Sequence, residues 1–187
     1  MTQILIIYAS DFGNTEKMAQ ATADGVRSVN GAQPLVKKAE EVTKEDMKNS
    51  DGILFGSPVH MGSMAWQMKK FIDRICSGLW MKDSMNGKVA GVFMSGGGFG
   101  GSGAGAELAM LSMLNNIAEL GMLIVPLPKN TALYTKGGLH WGPYGRSADE
   151  AMEHTGVTDD ALAVCRTHGA NVTRAAAALK DQTVFAA

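Results

Sequence analysis

Cysteine and long apolar runs are both scarce in this sequence, and each scarcity excludes a class of protein. The two cysteines, Cys76 and Cys165, lie outside any C-x-x-C or Cys/His cluster, so neither a disulfide framework nor a zinc site is expected. No apolar stretch approaches the roughly 18 residues that a membrane span needs, and the N-terminal apolar stretch lacks a basic segment before it. We therefore expect a cytoplasmic protein with reduced thiols, no bound metal and no membrane span.

Excess charge of either sign is also lacking. The formal net charge is -1, from 17 basic and 18 acidic residues, so the basic field of a nucleic-acid-binding protein is missing. What the sequence does have is apolar content: 45% of its 187 residues are hydrophobic, enough for a sizeable core. We expect one globular domain over residues 1–187.

Strand-like and helix-like segments alternate along the chain, which is typical of an open parallel sheet with helices on both faces. The predicted strands are 3–8, 34–38, 52–57, 88–95 and 122–126, and the predicted helices are 14–29, 43–48, 64–76, 103–120 and 159–180. Pro34 predicts an edge position for the second strand, because proline has no N–H for a central ladder. Residues 127–158 form a long irregular segment, and a loop of that size is usually functional.

The turn after the first strand carries the densest set of polar groups. It reads Ser10-Asp11-Phe12-Gly13-Asn14-Thr15 and runs directly into a helix. Free N–H groups and the helix dipole favour an anion there, and three side chains can donate further hydrogen bonds. The turn has no Lys or Arg and no P-loop spacing, which argues against a nucleoside triphosphate. The alternative is an ordinary helix N-cap.

Two further turns follow the third and fourth predicted strands, and in an open α/β sheet all three would meet at one edge. The first, Ser57 to Ser63, could present Val59, His60 and Met61 to a flat ligand, although a lone histidine is often an incidental surface residue. The second, Ser95 to Gly105, is so rich in glycine that a formal G-x-G-x-x-G match carries no weight. A glycine linker is the alternative, but the run is held between a buried strand and a helix.

Short landmarks in a fixed order give the chain a family resemblance. They are Ile7-Tyr8-Ala9-Ser10, Phe55-Gly56-Ser57-Pro58, Met64 with Phe71-Ile72-Asp73, Gly78-Leu79-Trp80, the Ser95 to Gly101 run, Gly121-Met122-Leu123-Ile124-Val125-Pro126 and Pro143-Tyr144-Gly145. With these the chain resembles the flavodoxin-like superfamily, and within it the WrbA-type NAD(P)H:quinone oxidoreductases. The resemblance implies an α/β three-layer sandwich with a five-stranded parallel sheet in the order 2-1-3-4-5.

The same resemblance implies an FMN cofactor and a ping-pong transfer of two electrons from NAD(P)H to a quinone. The residues then expected at the cofactor are Ser10, Asp11, Phe12, Gly13, Asn14, Thr15, Pro58, Val59, His60, Met61, Gly62, Ser95, Gly96, Gly97, Gly98, Phe99 and Gly100. Phe12 and Trp80 are expected to contact substrate, Trp80 from a neighbouring subunit, although both have core alternatives. His60 is a candidate catalytic proton donor to the quinone oxygen.

A homo-oligomer, dimer or tetramer, is also implied, but this chain departs from the family in two places. Residues 39–50 make only a short connection where the family has an insertion, and Leu120 stands where a family histidine reaches toward the flavin. The competing function is a flavodoxin-type electron carrier for protein partners. A net charge of -1 gives little steering field for such a carrier, and His140, Trp141 and Tyr144 in the long segment suggest a built pocket.

Overall fold

A mostly parallel β-sheet forms the centre of the computed structural model, which describes residues 1–99 and 103–185. Its strands are β1 (Thr2–Tyr8), β2 (Ala32–Lys38), β3 (Gly52–His60), β4 (Ser63–Met64), β5 (Val89–Gly96), β6 (Leu123–Ile124), β7 (Gly138–Leu139) and β8 (Gly142–Arg146). The main path runs β2-β1-β3-β5-β8-β7, with β6 paired to β5 and β4 to β3. The predicted order is confirmed for its first four strands, and β2 with Pro34 lies at the edge as expected.

Helices cover both faces of this sheet. They are α1 (Asn14–Arg27), α2 (Lys44–Asn49), α3 (Trp66–Phe71), α4 (Ser77–Trp80), α5 (Ala106–Glu119), α6 (Tyr134–Gly137) and α7 (Asp159–Leu179). The predicted helix over 64–76 is wrong in detail, because a π-helical turn at Ile72–Cys76 separates α3 from α4. The predicted helix over 103–120 begins later, at Ala106, after Gly105 in the left-handed conformation with φ 92°.

Two hydrophobic clusters lie on opposite sides of the sheet, and β1 contributes to both. Leu5 and Ile7 pack on the α3 and α5 side, whereas Ile4 and Ile6 pack on the α1 and α7 side. All four side chains are fully buried. Successive strand residues point to opposite faces, so the unbroken apolar run of β1 is what a strand covered on both faces requires.

The fifth position of the sheet is shared by two short segments. Leu123 and Ile124 pair with the start of β5, and Tyr144 to Arg146 pair in parallel with its end. The prediction of one strand over 122–126 is therefore wrong in length, and the chain between the two parts returns to the sheet only at β7, which pairs with β8. At Gly142 a Cβ would lie 2.0 Å from the carbonyl oxygen of Val92, so only glycine lets β8 approach β5 this closely. The 127–158 segment thus completes the sheet.

Among the helices of the described ranges, none combines the length and the apolar character that crossing a bilayer requires.

Candidate functional site

A cavity of about 140 Å³ opens at the carboxyl ends of β1, β3 and β5. It is lined by Ser10, Asp11, Phe12, Asn14, Thr15, Pro58, Val59, His60, Ser95, Gly96, Gly97, Ser147, Ala148, Met152 and His154. The structure therefore brings together residues from all three turns that the sequence singled out. Gly13, Met61, Gly62, Gly98 and Phe99 belong to the same turns but do not line the cavity, and Gly100 lies outside the described residues.

The first turn ends in a helix start whose N-cap residue has no capping side chain. Gly13, with φ 79°, occupies the N-cap position of α1 and has no side-chain oxygen to accept from the first-turn N–H groups. Ser10 Oγ accepts from the N–H of Glu16 at 3.3 Å, and the Gly13 carbonyl accepts from that of Lys17 at 3.0 Å. Within the described ranges no protein group accepts from the N–H groups of Asn14 and Thr15. An ordinary helix N-cap was the alternative for this turn, but the residue at the N-cap position is a glycine without a capping side chain.

Two buried hydroxyls connect the first turn to the third. Thr15 Oγ1 and Ser95 Oγ lie 2.8 Å apart, and both side chains are almost completely buried. Thr15 stands in the first turn of α1, and Ser95 stands near the end of β5. A single hydrogen bond can use only one of the two protons, so the pair keeps one hydroxyl proton free for another acceptor at this wall of the cavity.

The glycines after β5 permit a close approach of several side chains. A Cβ at Gly96 would lie 3.1 Å from Val59 Cγ2, and one at Gly97 would lie 2.7 Å from Met152 Cε. Gly98 has φ 69°, a left-handed conformation that glycine adopts without strain. These residues fix the width of the cavity, and larger side chains there would fill it.

The second turn carries the polar contacts of His60. Its Nε2 atom lies 3.5 Å from Asp11 Oδ2, across the mouth of the cavity. The other carboxylate oxygen, Asp11 Oδ1, accepts a hydrogen bond of 2.8 Å from Gln67 Nε2 of α3. Met61, next to His60, has φ 49° and a fully exposed side chain, so the tip of this turn projects into solvent.

Four residues of the cavity wall were missed in the sequence, and all belong to a strap that we define as residues 147–155. Ala148 pairs with His154 in a β-bridge, which closes the strap on itself. The His154 ring lies 5.1 Å from the Phe12 ring, and Met152 packs on Gly97. His154 is one of only four histidines in the chain, which is the one signal that could have drawn attention to this segment.

Arg146 holds the strap against the glycine turn. Its Nε donates to the carbonyls of Gly97 and Ala148, and its NH2 group donates to that of Asp149. Tyr144 reinforces the same junction, since its hydroxyl donates to the Gly96 carbonyl at 3.4 Å. Burial raises the pKa of Tyr144, so this hydroxyl stays protonated at neutral pH. The guanidinium therefore braces loops, and no Lys or Arg lines the cavity in the described part of the chain.

A buried tyrosine fixes the acidic residue of the first helical turn. Tyr8 at the end of β1 donates its hydroxyl proton to Glu16 Oε1 at 2.8 Å. Burial and this bond to Glu16 raise the pKa of Tyr8 to about 12, so the phenol remains a donor throughout the physiological range. Glu16 also lies where the dipole of α1 favours a negative charge.

The remaining sequence candidates lie elsewhere on the molecule. Trp80 is half exposed and lines a separate groove of about 160 Å³ beside the π-helical turn and α5. Trp141 lines a groove on the outer side of α5, and the His140 ring lies tilted against it with 4.4 Å between the ring centroids. In the long segment, Tyr144 contacts the third turn at Gly96 and His154 contacts the first turn at Phe12.

Comparison with known proteins gives consistent matches. A family model described as NADPH-dependent FMN reductase matches residues 2–131. A flavodoxin of Aquifex aeolicus is 41% identical over 124 residues, which are 66% of this chain and 64% of that protein. The match thus spans less than two thirds of that relative's length.

Solved structures resemble the chain over nearly its whole length. The flavodoxin, WrbA-like protein from Agrobacterium tumefaciens superposes with a TM-score of 0.72 at 25% identity, covering 96% of this chain and 99% of that one. Flavodoxin 1 from Bacillus cereus has a TM-score of 0.65 at 18% identity, covers 92% of this chain and 98% of that one, and is alike in fold. The predicted flavodoxin-like fold and the WrbA-like similarity are confirmed.

Proposed function

Because this chain belongs to the NADPH-dependent FMN reductase family, we propose that it binds FMN in the cavity and transfers two electrons from NAD(P)H to a quinone. The family and the flavodoxin relatives support FMN as the cofactor. The nicotinamide donor, the quinone acceptor and the ping-pong order come from the resemblance noted in the sequence. One cavity would then serve the two substrates in turn.

The residues of the cavity fit a phosphorylated, flat cofactor. The uncapped start of α1 leaves N–H groups of Asn14 and Thr15 for a phosphate, and Ser10 adds a hydroxyl. Such a site suits an anion that is held and not transferred, because it contains donors but no lining cation. Gly96 and Gly97 add no side chains of their own to the opposite wall, where Val59 and Met152 lie against their backbone and keep the cavity narrow.

Bound FMN supplies the two-electron chemistry, and the protein supplies orientation, electrostatics and protons. The hydride of NAD(P)H carries two electrons and one hydrogen, whereas reduction of a quinone to a hydroquinone takes two electrons and two protons. One further proton must therefore come from solvent or from a side chain. His60 is the cavity-lining residue that we propose for this role, because imidazole exchanges protons near neutral pH.

The observation that favours an enzyme is the aromatic pair at the mouth of the cavity. Phe12 is 74% exposed, and its ring lies 5.1 Å from that of His154, which is itself exposed. An exposed aromatic ring in a polar turn gains little from packing, but it offers a stacking surface to a flat substrate. We propose that this pair receives the nicotinamide or the quinone. The flavodoxin relative favours the alternative, a carrier that passes electrons to protein partners.

The proposal is tested by steady-state turnover. Protein purified with FMN should show flavin absorption bands and reduce a soluble benzoquinone with NADPH or NADH in the absence of any reductase. The variant Phe12→Ala should raise the KM for the nicotinamide donor by about ten-fold, a loss of roughly 1.4 kcal/mol of stacking. Phe185→Ala is the matched control, since Phe185 is 50% exposed and lines a pocket at the opposite end of the sheet. Flavin bands without quinone turnover would favour the carrier.

We also propose a homo-oligomer, in which Trp80 of one subunit reaches the cavity of another. Exposed or partly exposed apolar residues on and beside α5 supply a surface for such an assembly. They are Leu108, Leu111, Ile124 and Trp141, which line a groove of about 640 Å³. The cytoplasmic location expected from the sequence stays a prediction.

A further inference from the structure

The geometry points to a positioning role for Asp11 and Gln67, and we propose that they hold His60 in the tautomer that delivers a proton to the substrate. This inference rests on the proposed function, because it names the residues that make His60 an effective donor. It assigns to Asp11 a task different from the cofactor contact expected of it in the sequence. It also brings in Gln67, which no motif of the sequence had marked.

Asp11 is the one residue of the first turn that a phosphate would repel. It lines the same cavity as Ser10 and Asn14, but its carboxylate has no donor hydrogen at neutral pH. Both of its oxygens are instead directed to protein groups outside the helix start. Oδ1 accepts from Gln67 Nε2 at 2.8 Å, and Oδ2 lies 3.5 Å from His60 Nε2. The carboxylate is therefore placed to serve the second turn.

Gln67 fixes the direction in which this carboxylate faces. A carboxylate only accepts hydrogen bonds, so the Gln67 amide must present its nitrogen to Asp11. This orientation leaves Gln67 Oε1 buried and without a hydrogen-bond partner among the described residues. Because the amide oxygen has no partner, the bond from Nε2 to Asp11 is the hydrogen bond that orients the Gln67 amide among the described residues.

The carboxylate selects one of the two nitrogens of His60. With Asp11 beside Nε2, the neutral ring keeps its proton on Nε2 and leaves Nδ1 as the nitrogen that gains and loses a proton. In the proposed step, the Nδ1–H bond of the imidazolium breaks as the second O–H bond of the hydroquinone forms. The electron pair of the broken bond stays on Nδ1, and water later returns the proton. Asp11 stabilises the charged ring before the transfer and keeps its charge throughout.

The exposure of the pair limits the size of the effect. The side chains of His60 and Asp11 are 34% and 42% exposed, so water screens their attraction. We therefore expect removal of the carboxylate to lower turnover by about ten-fold, which is less than the roughly hundred-fold or more that a positioned proton donor itself contributes.

The test compares Asp11→Asn with Asp24→Asn, which removes the same charge from an exposed site of α1 away from the cavity. Nitrogen-15 NMR spectra of the histidine rings are recorded on the protein with FMN added to saturation and on the same preparation without added FMN. The variant His60→Gln identifies the signals of His60. The wild type and Asp24→Asn should show His60 in the Nε2–H tautomer, and Asp11→Asn should show a mixture. In steady-state quinone reduction Asp11→Asn should lower kcat about ten-fold with KM unchanged, and Gln67→Met should lie between it and the wild type.

Two results would overturn the proposal. One is a His60 tautomer that is the same with and without the Asp11 carboxylate. The other is a tautomer that changes while kcat stays equal in Asp11→Asn and Asp24→Asn. A wild type without quinone turnover, but with a tautomer that depends on Asp11, would contradict the proposed function and still support the positioning of His60.

Discussion

The hydroxyls of Thr15 and Ser95 lie 2.8 Å apart although 80 residues separate them in the sequence. The bond joins the start of α1 to the end of β5, whose strand is separated from β1 in the sheet by β3. It therefore holds two of the three turns of the site at a fixed distance.

Thr15→Val removes this bond and leaves a side chain of nearly the same shape. The variant should bind FMN about ten-fold more weakly, because Ser95 is left with a buried hydroxyl that has lost its partner. Fluorescence titration with FMN measures the dissociation constant. Thr22→Val is the matched control, since Thr22 is a buried threonine of the same helix whose hydroxyl bonds to the Met18 carbonyl. Equal affinities in the two variants would contradict the proposed placement of FMN.

His168 should make the protein less stable in mild acid. It is buried between α7 and the sheet, with Nε2 only 2.7 Å from where a Cβ of Gly91 would lie, and neither ring nitrogen has a partner in the described structure. Burial lowers the pKa of His168 from 6.5 to about 4. The unfolded chain then gains a proton near pH 6.5 and the native chain only near pH 4, so stability falls as the pH falls through this window.

The free energy of unfolding should fall by roughly 3 kcal/mol between pH 6.5 and pH 4, because the pKa of His168 is lowered from 6.5 to about 4. Urea unfolding at a series of pH values measures it. His168→Leu should remove most of the slope, whereas His140→Gln, a change at an exposed histidine, should keep it. An equal slope in the two variants would mean that other groups cause the acid sensitivity.

Both cysteines should be inert in the folded protein. Burial raises the pKa of the Cys76 thiol to about 12, with a further contribution from Asp73, and burial raises that of Cys165 to about 12. Since the thiolate is the reactive form, an aromatic disulfide reagent at about pH 8 should label neither residue in minutes. Two thiols should react at once in guanidinium chloride. Rapid labelling of one thiol in the native protein would contradict this prediction. The variant Cys76→Ser then identifies which cysteine reacts, and so which of the two hydrophobic clusters opens to solvent.

The apolar groove on α5 should govern self-association. Leu111 is 47% exposed and lines this groove. The variant Leu111→Asp places a charge in the groove and should lower the mass measured by sedimentation equilibrium to that of one chain. Leu133→Asp is the control, because Leu133 is 43% exposed and lies outside the groove lining. A wild type that sediments as a monomer would remove the homo-oligomer from the proposed function.

Sequence patterns predicted those parts of the fold in which local chemistry and tertiary position agree. The central parts of β1, β3 and β5, which are Ile4 to Ile7, Ile53 to Phe55 and Val89 to Met94, have no polar side chains because both faces are covered, so they could be recognised without the structure. Gly-Pro-Tyr-Gly-Arg of β8 has the composition of a turn, and only its contact with β5 makes it a strand. The π-helical turn at Ile72–Cys76 likewise has no local signal.

In the candidate site, too, the parts with a local sequence signal could be predicted, and the parts that depend on tertiary contacts could not. The three turns could be predicted because each follows a recognisable strand, and parallel strands end at one edge. The contact of His154 with Phe12 could not, since 142 positions separate the two residues and no strand marks the strap. The Gln67–Asp11 bond was equally hidden, because Gln67 reads as an ordinary polar position of α3.

Direct reduction of the flavin by a nicotinamide nucleotide is decided by rapid mixing of the FMN-loaded protein with NADPH or NADH under anaerobic conditions, with no reductase present. The flavin absorption band should disappear within seconds and return when a quinone is added. A flavin that dithionite reduces, but that neither nicotinamide nucleotide reduces, would rule out the proposed enzyme and favour an electron carrier.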